Sequence, residues 1–575
     1  MRRNNRRQGA PVLVIAVILL ILIAAFGISI YRQKFEGSKE RVDLKEYLEL
    51  AAGQDVYTLL NNARADFLCR NIDGRTYVEI GTAKQYLNDR FYYGSADDAV
   101  FYCFPDGFYR VSPGESVLHA LGEGTSLQDK TLAYMPVVRQ EDGLFLAMEW
   151  IAEVTDLTYA EFTDPFRIKI TSDYTPVSAA DVNKKGSLRV SGGIKSEVIR
   201  NLERGERVTV IDRMDTWSKV MTEDCFLGYI ENSRLSDMYT YEPPRSLVYT
   251  EPVFTQHKPD GKICMVWNSL SVPEANPFIY DMLSYAAPVN TVSPTWFDTA
   301  DAEGNFTDIS SADYVRGMHD RGILVWPMVS NFTSGTVRQD FLCSYASRAN
   351  AISFLIRRIK ELGADGINLD FENIDAEYGD DYIEFVRELS AACRNNALTL
   401  SVDNYVPYNF NDHYRIDEQG VFCDYVVIMG YDEHYAGSAE PGSVASIDYV
   451  RYGIEKTLEE VPADKVINAV PFYTRIWKAS SSSGLTSSAV GMQAAAEYIA
   501  NNGLEVFWDE TTCQNYAQGS TNDGYYARIW LEDADSLSIK ARVMQQNGLT
   551  GIAAWRLGLE SSDIWSVFAD YMNGN

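Results

Sequence analysis

One run of eight residues restricts the fold of this chain more than any other: Asp365-Gly366-Ile367-Asn368-Leu369-Asp370-Phe371-Glu372. It follows a stretch, Ala351 to Leu362, in which Ile352, Leu355, Ile356, Ile359 and Leu362 recur with the 3.6-residue period of a helix. Gly363 stands where a helix C-terminus accepts a residue of positive φ. The run itself alternates: Ile367, Leu369 and Phe371 point one way, and Asn368, Asp370 and Glu372 the other. A strand entered from a buried helix is covered on its helix side, so the polar face looks into a barrel or sheet core. Residues two apart on that face are roughly 6.5–7 Å from each other. Burying carboxylates costs several kcal/mol, about 3 or more, unless they are hydrogen-bonded or used in chemistry. An edge strand in solvent would carry the same polar residues without meaning.

Residues 259–575 repeat this alternation of strand and helix. Candidate strands are Lys262–Trp267, Thr291–Phe297, Gly322–Val329, Asp365–Glu372, Thr399–Tyr405, Tyr425–Tyr431, Val466–Phe472 and Gly551–Trp555. That order predicts an α/β fold, a (β/α)8 TIM barrel as the C-terminal domain, with a modest insertion at about 500–530. Such barrels carry their chemistry at the C-terminal ends of the strands, and Glu372 falls at the end of the fourth.

The run Asp365–Glu372 resembles the D-G-x-D-x-D-x-E motif of glycoside hydrolase family 18. That family includes chitinases, endo-β-N-acetylglucosaminidases and peptidoglycan or spore-cortex N-acetylglucosaminidases. Asn368 departs from the motif, which has Asp there, and is more like the cortex- and peptidoglycan-linked branch. Met429-Gly430-Tyr431-Asp432 resembles the family's M-x-Y-D on the sixth strand. Trp555 ends the eighth strand, where family members place a tryptophan beneath the sugar. The resemblance implies substrate-assisted retaining hydrolysis, in which the substrate's own N-acetyl group attacks the anomeric carbon. Glu372 is then the acid, Asp370 holds the acetamide N–H and Tyr431 bonds the acetamide from the other side. Asn368, Asp432, Trp555 and Trp267 are candidate substrate contacts, the tryptophans by stacking on sugar rings. Asp365, of opposite strand parity, and Gly366 are structural parts of the motif. The Asn368 amide can donate to Asp370 and hold it ionised to lower pH than a second Asp would. No metal or cofactor is implied. The implied partner is peptidoglycan or a chitin-like N-acetylated glycan. Chitinase-type or endo-β-N-acetylglucosaminidase action on other glycans stays open, as does a barrel that binds glycan without cleaving it.

A net charge of −29 argues against nucleic acid as a partner, which requires a basic footprint. The eight cysteines form no C-x-x-C pair and the five histidines no H-E-x-x-H, so the sequence offers no zinc or redox motif.

Upstream of the barrel the chain divides by composition. Residues 1–10 form a basic tail with Arg2, Arg3, Arg6 and Arg7, and 11–31 an uncharged apolar run up to Tyr31. Twenty residues at 1.5 Å each cover roughly 30 Å, the thickness of a bilayer's hydrocarbon. The run is longer than a signal-peptide core, so it reads as a single-pass membrane anchor with the N-terminus cytoplasmic and the barrel extracellular. Residues 41–172 hold two similar segments, Tyr77–Ile80 then Ala83–Leu87, and Met135–Val138 then Leu144–Ala147 with Met148–Val154. They resemble a stalk-like α+β domain related to the N-terminal domain of copper amine oxidases, without copper chemistry. Residues 184–238 resemble a bacterial Src-homology-3-like (SH3-like) small β-barrel, which binds wall peptides in some relatives and spaces domains in others. Residues 239–258, with Pro243-Pro244, read as a linker.

Overall fold

The alternating stretches between Ile263 and Trp555 pair side by side and close into a ring. The structure is a computed structural model that describes residues 9–51, 53–333, 336, 337, 339–480 and 484–574. The barrel strands are β1 (Ile263–Asn268), β2 (Thr291–Thr299), β3 (Met328–Ser330), β4 (Gly366–Asp370), β5 (Thr399–Tyr405), β6 (Tyr425–Met429), β7 (Val466–Pro471) and β8 (Gly551–Trp555). Neighbours are parallel throughout, and β1 pairs with both β2 and β8. The strands expected from the sequence are all there. The third is broken into Leu324–Val325 and Met328–Ser330 around Pro327, which has no N–H to give a ladder.

The parity of β4 is as its residues dictate. Helix Tyr345–Leu362 buries Ile352, Leu355, Ile356, Ile359 and Leu362, and Gly363 ends it in the left-handed region at φ 73°. All five residues of β4 are buried. On the outer face Phe371 lies parallel to Phe385 of helix Gly379–Asn395, ring centroids 5.6 Å apart. Asn368 and Asp370 point inward, and Glu372 sits two residues past the strand rather than within it.

The insertion after β7 is larger than expected. It starts at Tyr473, not near 500, and forms a five-stranded antiparallel sheet through Trp530 with helix Met492–Asn502. Its first hairpin, Tyr473–Ser480 with Gly484–Gly491, precedes the expected insertion and is rich in serine.

The chain folds as two units, 1–89 with 135–251, and 90–134 with 252–575. In the first, helix Gly9–Phe35 includes a span, Val12–Phe35, long and apolar enough to cross a membrane. The expected basic tail, Arg2 to Arg7, lies outside the described residues. The two similar segments are hairpins each followed by a helix, at 69–86 and 137–153, and their last strands pair antiparallel through Leu146 and Val78. A seven-stranded antiparallel sheet spans 177–241; its edge strand Tyr239–Tyr241 pairs with Val177–Asp181 in what the sequence reads as the start of a linker.

Residues 90–134, read from the sequence as part of one region 41–172, belong to the barrel unit. Their five-stranded meander packs on helices 345–362 and 379–395, which turns the outer faces of those helices into interior. Phe101 and Phe108 each place a ring 5.8 Å from Tyr345, Arg90 pairs with Glu418, and Arg394 donates to Pro105 O. Charges enclosed by this layer are paired. Arg348 and Glu388 are 2.8 Å apart at 0% and 1% side-chain exposure, and Arg387 bonds Glu384 and Glu418.

Burial pushes Glu388 up to about 7 against the pull of Arg348. A carboxyl raised in the folded state contributes stability below its unfolded pKa of about 4.3 and loses it as pH rises through the folded value. Arg348→Met removes the pull and leaves Glu388 enclosed without its cation. It should cost about 3–5 kcal/mol at pH 8, and less at pH 5, where Glu388 takes up a proton. Thermal unfolding of the barrel unit within the full chain checks this; an equal loss at both pH values would contradict it.

Candidate active site

Strand β4 delivers Asn368 and Asp370 to the interior, and the chain then turns sharply at Asn373, whose φ is 53°. Asn and Asp enter this left-handed region at lower cost than other side chains. The turn is held by side chains of neighbouring strands. Asn331, fully buried just past β3, brackets Glu372: its Nδ2 donates to Glu372 O at 2.8 Å and its Oδ1 accepts Glu372 N–H at 2.9 Å. Tyr405 at the end of β5 donates its hydroxyl to Glu372 Oε2 at 2.7 Å and accepts Asn373 N–H. Tyr414 accepts the N–H of Ile374. The Glu372 carboxyl is therefore fixed from both backbone and side chain.

A cavity of about 240 Å³ opens at these strand ends. Trp267 lines it from β1, Asp370 and Glu372 from β4, Asp403 and Tyr405 from β5, Met429, Tyr431 and Asp432 from β6, and Trp555 from β8. A larger cavity, about 400 Å³, runs along residues 404–417 and shares Tyr405, but none of the inward carboxyls reaches it. Chemistry belongs to the smaller one, where the acids converge.

The surroundings of these acids differ. Asp370 is buried and its Oδ1 has no hydrogen-bond partner among the described residues. Burial pushes its pKa well above the carboxylate range, and the charges of Glu372 and Asp403 add to the rise. Asp403 is also raised by burial, against the hydrogen bond from Asn368. Glu372 is raised by burial and by Asp432, while the bond from Tyr405 pulls it down. Burial likewise raises the Tyr431 phenol. Asp432 is exposed at the mouth, with φ 61°, and accepts the Tyr473 hydroxyl at 2.6 Å. Trp555 is half-buried, its ring 5.8 Å from that of the enclosed Trp267 and tilted to it by 58°.

Glu372, Asp370, Tyr431, Asp432, Trp555 and Trp267 thus meet at one cavity. Asn368 does not line it. It is fully buried beneath, where Oδ1 accepts from Trp267 Nε1 and Ser293 Oγ, and Nδ2 donates to Ser401 Oγ and Asp403 Oδ1. The expected bond from Asn368 to Asp370 is corrected: the amide points at β5, and Asp403 takes its proton at 2.7 Å. Asp365 and Gly366 lie at the other end of β4. Asp365 accepts Val325 N–H and bonds His319. A Cβ at Gly366 would run into Thr399 O and come within 2.9 Å of Trp326 Cδ1, so only glycine fits. Trp296, Trp326 and Trp477, also near strand ends, are enclosed in the core.

Asp403 and Tyr405, which line the cavity, and Asn331, which holds Glu372, are residues that the sequence reading passed over. Thr399, Ser401, Asp403 and Tyr405 alternate with Leu400 and Val402, the same inward polar face that marks β4, so a signal existed for the first two. Asn331 follows its strand with no such pattern. Among the described residues no group of His, Cys, Asp and Glu is arranged to hold a metal.

Residues 291–560 match the family Glycosyl hydrolases family 18. A putative sporulation-specific glycosylase, YdhD, of Bacillus subtilis is 30% identical over 241 residues, 40% of this chain and 57% of that protein. The cortical fragment-lytic enzyme of the same organism is 26% identical over 232 residues, 38% of this chain and 52% of that one. The chain spans about half the length of these curated relatives. The C-terminal domain of a putative chitinase from Desulfitobacterium hafniense shares the fold, with a TM-score of 0.50 at 19% identity over 55% of this chain and 99% of that one. The barrel unit therefore carries a glycosyl hydrolase family 18 domain, over residues 291–560.

Proposed function

We propose that this protein hydrolyses β-linkages in an N-acetylglucosamine-containing glycan, peptidoglycan, with the substrate's own acetamide as nucleophile. The observation that carries the reading is the convergence on one cavity of two carboxyls in unlike surroundings, Asp370 with a bare buried oxygen and Glu372 tied to Tyr405. Pairs of carboxyls whose environments differ in this way divide into an acid and a charge-stabilising partner. Glu372, raised by burial, keeps a proton toward neutral pH and gives it to the glycosidic oxygen as the C1–O bond breaks. The acetamide oxygen bonds to C1 on the opposite face, and Asp370 accepts the acetamide N–H and balances the oxazolinium charge. Tyr431 bonds the acetamide from the other side, and Trp555 lies beneath the sugar. Glu372, now a carboxylate, takes a proton from the water that attacks C1, and the C1–acetamide bond breaks with net retention.

Peptidoglycan is favoured over chitin by the sporulation and cortex names of the relatives and by the upstream segments. In this reading Val12–Phe35 anchors the chain in the membrane with the barrel outside. Residues 184–238 act as an SH3-like module that meets or spaces the wall, and the hairpin–helix pair within 41–172 acts as a stalk. Asp432 is a sugar contact at the mouth.

Mass spectrometry of new reducing ends released from purified peptidoglycan tests the activity. N-acetylglucosamine reducing ends are expected, and their absence with the full-length protein would refute the reading. Glu372→Gln should lower kcat by about 10³-fold or more with KM little changed. Tyr405→Phe removes the bond that favours ionised Glu372, so the Glu372 pKa rises and the alkaline limb of kcat/KM moves to higher pH. A limb that stays or moves down would contradict the role of Tyr405. Protease added to wall-stripped intact cells should remove the barrel, and a protected barrel would reverse the orientation.

A further inference from the structure

Asp403 has one carboxyl oxygen engaged and one bare. Oδ1 accepts the Asn368 amide at 2.7 Å, and Oδ2 is buried without a partner among the described residues. The β4–β5 register sets Asn368 beside Ser401 and Leu369 beside Val402, so the next step sets Asp370 beside Asp403. Neighbouring strands are separated by roughly 4.8 Å. Asp370 presents its own bare oxygen, Oδ1, to the same cavity. The titratable groups that act on the pair are Glu372, from the turn after β4, and the phenols Tyr382, Tyr414 and Tyr431. Tyr405 and Asp432 reach it through Glu372. None of these is a cation, and two buried carboxylates side by side cannot both stay charged at low cost.

We propose that Asp403 is the positioning residue that keeps Asp370 anionic when the acetamide binds: the two carboxyls hold a single proton between them, and Asp403 Oδ2 carries it. This rests on the reading of the barrel as an acetamide-assisted glycosidase. The site's proton count is unchanged over a turnover, since the proton of the pair is neither given to substrate nor taken from it. Asn368 cannot serve here, because an amide does not titrate. It does the complementary work: by donating to Oδ1 it leaves Oδ2 as the protonated oxygen. The motif that β4 resembles has a carboxyl at position 368. In this chain the carboxyl stands on the neighbouring strand, across the Asn368–Asp403 hydrogen bond.

The geometry makes the carboxyl exchangeable across that bond. Four full-length proteins decide the matter on one soluble N-acetylglucosamine oligomer: wild type, Glu372→Gln, Asp403→Asn, and Asn368→Asp combined with Asp403→Asn. Asp403→Asn should lower kcat about 10²-fold with KM little changed. Its acidic limb of kcat/KM should move to higher pH, because Asp370 loses the protonated neighbour that keeps it anionic. The exchange variant should recover kcat to within about tenfold of wild type and bring the acidic limb back down, as a carboxyl that can share its proton again adjoins Asp370. An Asp403→Asn protein with wild-type kcat and an unmoved limb overturns the proposal. So does an exchange variant that keeps the near-UV circular dichroism of wild type but turns over no faster than Asp403→Asn. Should Asp403→Asn fail to fold, the exchange variant alone decides. A wild type inactive on both the oligomer and peptidoglycan would instead remove the glycosidase reading.

Discussion

The four hydrogen bonds of Asn368 hold the barrel interior in the arrangement that everything above them requires. They join β4 to Trp267 of β1, Ser293 of β2, and Ser401 and Asp403 of β5. Each such bond contributes only about 0.5–1.5 kcal/mol net, but leaving one of these buried groups unpaired would cost about 1–3 kcal/mol. With Asp403 as its partner, an amide fits the position. It accepts twice from Trp267 and Ser293 and donates twice to Ser401 and Asp403, whereas a carboxylate there would have no proton for the two donations and would add a third buried negative charge. The departure from the family motif at 368 thus has a local cause on the next strand, the carboxyl of Asp403.

Much of the site is legible in the chain because a barrel strand has a period of two and its helix a period near 3.6. The stretch from Ile352 to Glu372 contains both, and they fix which side of β4 meets the helix and which the interior. The same arithmetic applied to Thr399–Tyr405 would have found Asp403 and Tyr405, yet no motif drew attention there. What the chain hides is what depends on distant pairing. The helix Gly379–Asn395 carries Glu384, Arg387 and Glu388, and all three are buried where residues 90–134 pack on it. A local antiparallel meander has no residue pattern that says which unit it will pack on. The direction of the Asn368 amide was hidden for a similar reason: spacing along one strand favours Asp370, but a barrel interior is read across strands.

Asp370 and Glu372 illustrate how a two-residue separation yields two roles. They share a strand face, yet the first is enclosed beside another carboxyl while the second is exposed enough to meet solvent and is tied to a phenol. An acid must both hold and release a proton near working pH, and a charge partner must stay anionic as positive charge develops. Burial alone would push both carboxyls toward the neutral form. The Tyr405 bond counters that push at Glu372. At Asp370 no donor counters it, so the neutralising proton has to reside somewhere other than Asp370 itself.

The interior therefore has two layers of opposite character. Around Asn368 every polar atom of the amide is paired. One step up β4, Asp370 Oδ1 and Asp403 Oδ2 are buried without a hydrogen-bond partner among the described residues. A buried oxygen without a donor costs about 1–3 kcal/mol or more when charged, and a fold gains nothing from keeping two of them adjacent. The cost becomes an advantage only if an incoming group supplies the donor, because the binding of an N–H then relieves a penalty already present in the free protein. A substrate with an amide N–H at the right place meets that condition. The paired layer below holds β4 and β5 in register beneath these two oxygens, so an incoming N–H meets acceptors already in place.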